Sequence, residues 1–425
     1  MMARRLYSLV IYLATPLILL RLLWRSRQQA EYLHNLAERW AFYRAPAPEK
    51  LIWVHAVSVG ETRAAQPLVE ALQRAWPDHR ILLTSMTPTG REAGQEVYGD
   101  RVIQAYLPYD YPDAVDRFFR HFSPTLGVLM ETEIWPNLLA AAKARGFPVI
   151  LANARLSERS ARGYGKLAAL ARPAFSALTA VAAQTPGDGE RIAALGAGKV
   201  SVCGNLKFDV TPPPEKIALG HAWREALGDR QVWLAASTRE GEEALLLDAW
   251  RGIAATRALL VLVPRHPQRF TEVAALLAQR GMEFVQRSRD LPDQTTTVWL
   301  GDSMGEMAAY FTLADIAFIG GSLLPLGGQN LIEAASCGCP VLVGPHTFNF
   351  LQATDDAIAA GAAHRVADAA GVIEAIIESL ADRPGLQEMR IAARRFAANH
   401  RGASERTLAV IRSAAIEPPP DRAAR

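Results

Sequence analysis

From Leu51 onward the sequence alternates short apolar, β-branched stretches with segments of helical period, and no other feature limits its fold as strongly. Strands are predicted near 51–57, 81–86, 101–106, 126–130, 148–153, 179–184 and 199–203. Helices follow at 61–76, 89–98, 111–121, 135–145, 164–177 and 187–195. A strand–helix–strand rhythm of this kind predicts a doubly wound parallel sheet. The rhythm stops at Thr211-Pro-Pro-Pro214, where consecutive prolines fix φ and remove backbone donors. It then restarts, with strands near 231–236, 258–263, 282–286, 296–300, 315–320, 340–343 and 363–366. The second set of helices falls at 215–227, 240–255, 267–280, 304–313, 329–337, 350–360 and 370–381, and a last helical stretch at about 384–415. The sequence therefore predicts two α/β domains, 51–210 and 215–383, joined by the linker 211–214. A C-terminal helix and tail fill 384–425, the part after Glu417 being disordered.

The N-terminus has a different character. Leu6–Leu20 carries no charge, and the apolar run resumes after Arg21 as Leu22-Leu-Trp24. A full span needs roughly 20 residues, so residues 1–24 reach that length only if Arg4, Arg5 and Arg25 snorkel. Arg21, Arg25 and Arg27 follow directly and no small-x-small site closes the run, which argues against a cleaved signal peptide. The basic excess beyond the apolar run predicts that the body of the protein lies on the cytoplasmic side of the membrane. Residues 1–24 are thus read as a membrane anchor, single-pass or monotopic. Residues 25–50 form an amphipathic connector closed by Ala45-Pro-Ala-Pro48. The arginines at 21, 25, 27 and 39 would keep this end near an anionic surface.

The formal charge of +3 gives no argument for nucleic acid, and the cysteines (Cys203, Cys337, Cys339) have neither redox nor zinc spacing. Neither domain has a G-x-G-x-x-G fingerprint or a P-loop, which lowers the case for NAD enzymes and NTPases. No cluster of His, Cys and acidic residues has metal-ligand spacing. Chemistry instead collects at predicted strand ends, where ligands bind in open α/β sheets. Trp53–Val57 runs through Ser58-Val-Gly60 to Glu61 at the start of a helix. Taken alone, Glu61 is either a site carboxylate or an acid favoured by the helix dipole. Glu131-Thr-Glu133 follows the apolar strand 126–130, a poor place for acids to pack. Lys207, in Gly204-Asn-Leu-Lys-Phe-Asp209, ends the first domain and could hold an anion.

In the second domain Pro264-Arg265 follows a strand, and Arg265 offers planar donors suited to phosphate. Met304-Gly305-Glu306 and the loop Gly320–Gln329 also run from strand to helix. The four glycines of that loop allow close backbone approach, and Asn330-Leu331-Ile332-Glu333 follows with Asn330 and Glu333 on one helix face. Two Rossmann-like domains with parallel sheets facing an interdomain cleft, lacking the dinucleotide loops, resemble the GT-B glycosyltransferase architecture.

Ser58–Glu61, Glu131–Asn137, Asn205–Asp209, Pro264–Pro267, Met304–Glu306 and Gly327–Glu333 occur together and in order. In combination they resemble the 3-deoxy-D-manno-octulosonic acid (Kdo) transferase family of lipopolysaccharide assembly, from the anchor to about residue 400. The resemblance implies an inverting, metal-independent GT-B enzyme without cofactor, transferring Kdo from CMP-Kdo to the lipid A precursor at the inner membrane. It implies Glu61 as general base, Glu131 and Lys207 as transition-state support, and Pro264, Arg265, Met304, Gly305, Glu306 and Asn330 to Glu333 as the CMP site. The acceptor would then lie on the N-terminal domain and the nucleotide sugar on the C-terminal one. The alternatives are a membrane-associated GT-B transferase using a UDP-sugar on a glycolipid, and a non-catalytic sugar-binding protein.

Overall fold

The computed structural model describes residues 2–27, 29–44, 47–251 and 257–416. The tail after Glu417, Ala45-Pro46 and the end of the helix expected at 240–255 lie outside these residues. The chain divides into two compact units, Met1–Val210 with the segment from Arg401, and Thr211–His400.

The first unit is built on seven parallel strands: β1 (Leu51–His55), β2 (Arg80–Ser85), β3 (Val102–Tyr106), β4 (Leu126–Met130), β5 (Val149–Ala154), β6 (Ala180–Ala183) and β7 (Val200–Val202). Their order is β3-β2-β1-β4-β5-β6-β7, so the chain reverses its direction of winding between β1 and β4. Both faces of the sheet are covered, which is why these strands are apolar runs and not alternating ones. In β1 the two sets of side chains enter different cores. Trp53 packs with Phe118, Phe119 and Leu139, whereas Ile52 and Val54 pack with Leu68, Leu72, Leu408 and Ile411.

The second unit repeats the plan with β8 (Val232–Thr238), β9 (Leu259–Pro264), β10 (Phe284–Gln286), β11 (Val298–Leu300), β12 (Ile316–Ile319), β13 (Val341–Val343) and β14 (Ala363–Arg365). The order β10-β11-β9-β8-β12-β13-β14 again has one reversal, between β8 and β12. Trp233, Leu260, Leu262 and Phe318 form the centre of its core.

Several helices are shorter or more broken than the periodicity predicts, and proline accounts for two of the breaks. The N-terminal segment is two helices, α1 (Met2–Leu13) and α2 (Thr15–Ser26), bent by 49° where Pro16 cannot donate. Among the described residues no single helix is long and apolar enough to cross a membrane, although this pair passes by length and composition together. The helix expected at 61–76 is divided into α3 (Val59–Ala64) and α4 (Gln66–Ala75), with Pro67 in the first turn of α4. The last stretch separates into Arg383–Asn399 and Ala403–Ile416, and only the latter belongs to the first unit. Asp209 fixes it there, accepting from the Gly402 and Ser404 N–H groups and the Ser404 hydroxyl, all at 2.6 Å.

One reading needs correction. Arg39 cannot face a membrane surface, since it is 2% exposed. It donates to the Met86 carbonyl (3.1 Å) and lies 4.2 Å from the centre of the Tyr106 ring, so its charge is spent inside the first unit.

Candidate active site

The reversal point of a doubly wound sheet opens a crevice at the strands' carboxyl ends, and in the first unit three acids stand there. β1 passes through Ala56–Ser58 into α3, which carries Glu61 in its first turn. The Val57 N–H donates to Glu61 Oε2 (2.9 Å) and the Ser58 hydroxyl to Oε1 (3.0 Å). By themselves these two donors would hold the carboxyl below its ordinary value. The opposite is found. Burial, then the charge of Glu131 and that of Glu133, overcome these two donors and push Glu61 from 4.5 up to about 7.

Glu131 leaves β4 with φ at +56°, a left-handed conformation that few non-glycine residues adopt. Its Oε1 lies 3.6 Å from Lys207 Nζ. Lys207 is delivered by the turn Leu206–Asp209, whose Leu206 N–H donates to Asn153 Oδ1 (3.0 Å) at the end of β5. Leu206 and Phe208 bury beneath it, so the turn cannot swing freely. Glu133 accepts from Trp135 Nε1 (2.9 Å), and burial raises its carboxyl too. His55, fully buried at the end of β1, presents Nε2 4.0 Å from Glu133 Oε2. Its Nδ1 faces the Thr84 carbonyl at 3.1 Å, which assigns the proton to Nδ1 and a lone pair to Nε2. Burial lowers His55 to about 4, so the ring is neutral at pH 7. The structure thus gathers Glu61, Glu131, Glu133 and Lys207 in one place, with Lys207 paired to Glu131.

In the second unit the sequence-predicted residues divide into groups. Pro264 ends β9, and the Arg265 N–H donates to the Thr238 carbonyl (2.9 Å). Arg265 Nε reaches Gln329 Oε1 (3.3 Å), which joins this strand end to the glycine loop. Gly327 and Gly328 have φ of +91° and +76°, so the loop needs glycine there. Asn330 Oδ1 accepts from the Ile332 N–H (3.1 Å), while the Leu331 and Ile332 side chains are in the core. The helix after them, Ile332–Ser336, has five residues, too few for the dipole expected of a longer helix. Glu333 is half-buried in that single turn. Met304, Gly305 and Glu306 form a separate turn, with Met304 54% exposed and Gly305 at φ +74°. Glu306 is held by Arg287 (3.1 Å) and the Ser303 hydroxyl (2.6 Å).

Two strand-end segments escaped the sequence reading. One is Asn153-Ala-Arg155, where Asn153 has φ +52° and a buried Nδ2 without a partner. The other is Ser237–Glu243, from the last residues of β8 onward, at the reversal point of the second sheet. Ser237 has φ +55°, and the fully buried Glu242 accepts from the Arg239, Gly321 and Leu323 N–H groups at 2.9, 2.6 and 3.0 Å. Both follow apolar strands just as Glu131 does, and that position was the available signal. A Cβ on Gly320 would come within 2.6 Å of the Ser237 carbonyl oxygen and Thr238 Cα, both backbone. Gly320→Ala is therefore expected to cost on the order of 1–3 kcal/mol. Urea unfolding checks this, and an unchanged midpoint would show that the two loops part freely.

Comparison with known proteins gives concordant results. A family model described as 3-deoxy-D-manno-octulosonic-acid transferase (kdotransferase) matches residues 34–210. The 3-deoxy-D-manno-octulosonic acid transferase of Bordetella pertussis is 47% identical over 425 residues, covering 96% of this chain and 98% of the relative. That of Haemophilus influenzae is 38% identical over 424 residues, covering 97% and 98%. Among solved structures, a glycosyltransferase from Rickettsia africae aligns with a TM-score of 0.59 over 88% of this chain and 99% of its own. At 13% identity that likeness is one of fold.

Proposed function

Since the chain belongs to the 3-deoxy-D-manno-octulosonic acid (Kdo) transferase family, we propose that Glu61 is the general base with which this glycosyltransferase moves Kdo from CMP-Kdo to a hydroxyl of the lipid A precursor. The observation that carries the assignment is the state of Glu61. A carboxyl near 7 is half ionised at neutral pH and matched to abstracting a proton there. The acceptor oxygen forms its bond to the anomeric carbon of Kdo as its proton passes to Glu61. The bond from that carbon to the phosphate oxygen breaks, and CMP leaves with the electron pair, inverting the centre. Lys207, held by Glu131, supplies the positive charge of the first unit's site, and the two together support the charge that develops.

In the second unit Pro264, Arg265, Met304, Gly305, Glu306 and Asn330 to Glu333 are proposed to hold CMP. Arg265 offers donors to the phosphate, and the loop glycines bring backbone N–H groups near the ligand. Leu331 and Ile332 can contribute only main chain, because their side chains are buried.

The enzyme is further proposed to work at the cytoplasmic face of the inner membrane, with α1 and α2 lying in the plane of the bilayer surface. Ser8 bonds Asn137 and the Thr15 and Tyr111 hydroxyls meet at 2.8 Å, so one side of the pair is fastened to the first unit. The other side exposes Leu6, Val10, Leu13, Leu17, Leu20 and Trp24, an apolar row suited to the acyl boundary.

The test is CMP release and glycolipid mass shift when the purified chain meets CMP-Kdo and the lipid A precursor. Tighter binding of UDP than of CMP, or no mass shift of the glycolipid, would sink the reading in favour of another sugar nucleotide.

A further inference from the structure

The helix Glu158–Lys166 follows β5, the neighbour of the strand that delivers Glu131 and Glu133, yet it buries none of its side chains. Its stem is rigid. The Thr132 hydroxyl, between Glu131 and Glu133, donates to the Arg155 carbonyl, and the Leu156 N–H donates to Asp188 Oδ1 (2.9 Å). Ser157 caps the first turn by accepting from the Ser160 N–H (3.2 Å). The helix faces the protein through Tyr164, whose ring lies 5.4 Å from that of Phe175. Opposite Tyr164, the helical period sets Arg159, Arg162 and Lys166 in one row, all exposed, with the acidic Glu158 at its flank. Like charges in one exposed row repel one another, and their field is open to an external anion.

We propose that the Arg159–Arg162–Lys166 row docks the phosphate groups of a phosphorylated glycolipid acceptor; this rests on the acceptor assignment given above. Charge complementarity and position identify the occupant. The row follows the loop 155–157, which the Thr132–Arg155 hydrogen bond ties to the loop holding Glu131 and Glu133, so one extended molecule can meet both. The next helix, Ala168–Phe175, packs against α1, which puts the exposed apolar row of α1 on the same part of this unit. An amphiphile with anionic sugars and acyl chains matches both.

The experiment uses the full chain in neutral detergent, with the bisphosphorylated acceptor and its enzymatically dephosphorylated form. In the triple variant Arg159→Gln, Arg162→Gln, Lys166→Gln, the KM for the bisphosphorylated acceptor should rise on the order of tenfold, while kcat and the KM for CMP-Kdo stay put. Dephosphorylation should cost the wild type a similar factor and the variant little. The Lys-for-Arg variant Arg159→Lys, Arg162→Lys should keep most of the wild-type affinity. Equal KM values in wild type and triple variant would overturn the proposal. So would an unchanged KM in detergent alongside weaker binding to vesicles of anionic phospholipid, which would make the row a general membrane contact. Failure of the wild type to use any phosphorylated glycolipid would instead remove the functional reading, and the docking proposal with it.

Discussion

Glu61→Gln is expected to lower kcat by ~10²–10⁴ while leaving the fold intact, because it removes the proposed proton acceptor and keeps the shape and one acceptor oxygen for the Val57 N–H. The wild-type rate should fall on the acid side with a midpoint at about 7, and the residual rate of the variant should lose that limb. Stability should move the other way. The unfolded chain ionises this carboxyl near 4.5 and the folded chain at about 7, so raising the pH between those values strips protons from the unfolded state first and weakens the fold. Glutamine has no such charge to bury. The variant should therefore match the wild type in denaturant midpoint at pH 4 and exceed it at pH 8. Loss of stability at both pH values would mean that Glu61 serves only to fasten the turn at Val57 and Ser58.

The second large effect concerns the Glu131–Lys207 pair. Lys207→Met should reduce kcat by roughly 10²–10³, the scale found when one group that stabilises developing charge is lost. Glu131→Gln should slow the enzyme and also shift its acid limb below that of the wild type, since the charge of Glu131 is second only to burial in raising Glu61. At 3.6 Å the two groups act as a unit, so the double variant should lose much less than the product of the single losses. A multiplicative loss, measured in one kinetic cycle, would show that they work independently.

The two sheets were legible from the sequence because buried parallel strands are written as unbroken apolar runs, and Pro212–Pro214 marks the junction without ambiguity. Glu61, Glu131 and Lys207 could be found at strand ends, but their mutual placement depends on strand order, and Glu131 and Lys207 lie 76 positions apart in the chain. Helix lengths were less legible. The period through 61–76 continues across Ala65 although the helix is divided there, and the apolar run through Pro16 hides a 49° bend. Asn153 and Ser237 were missed because a left-handed φ in a non-glycine residue leaves no mark on composition, and only the surrounding packing imposes it. Arg39 was misread for a related reason. An arginine among polar residues looks solvated, and only the fold reveals Tyr106 beneath it.

The clamp of Asp209 on Gly402 and Ser404 has a consequence for how this protein comes into being. Leu408, Ile411 and Ala414 complete the same core as Val54 and Leu68, one face of the sheet that carries Glu61. A ribosome makes β1 before the second unit and the helix Ala403–Ile416 after it. The half of the molecule that is translated first must therefore wait, with one apolar face uncovered, until the whole second unit has emerged. Glu61, the proposed base, follows β1 directly, and the core beneath β1 closes only when that last helix arrives.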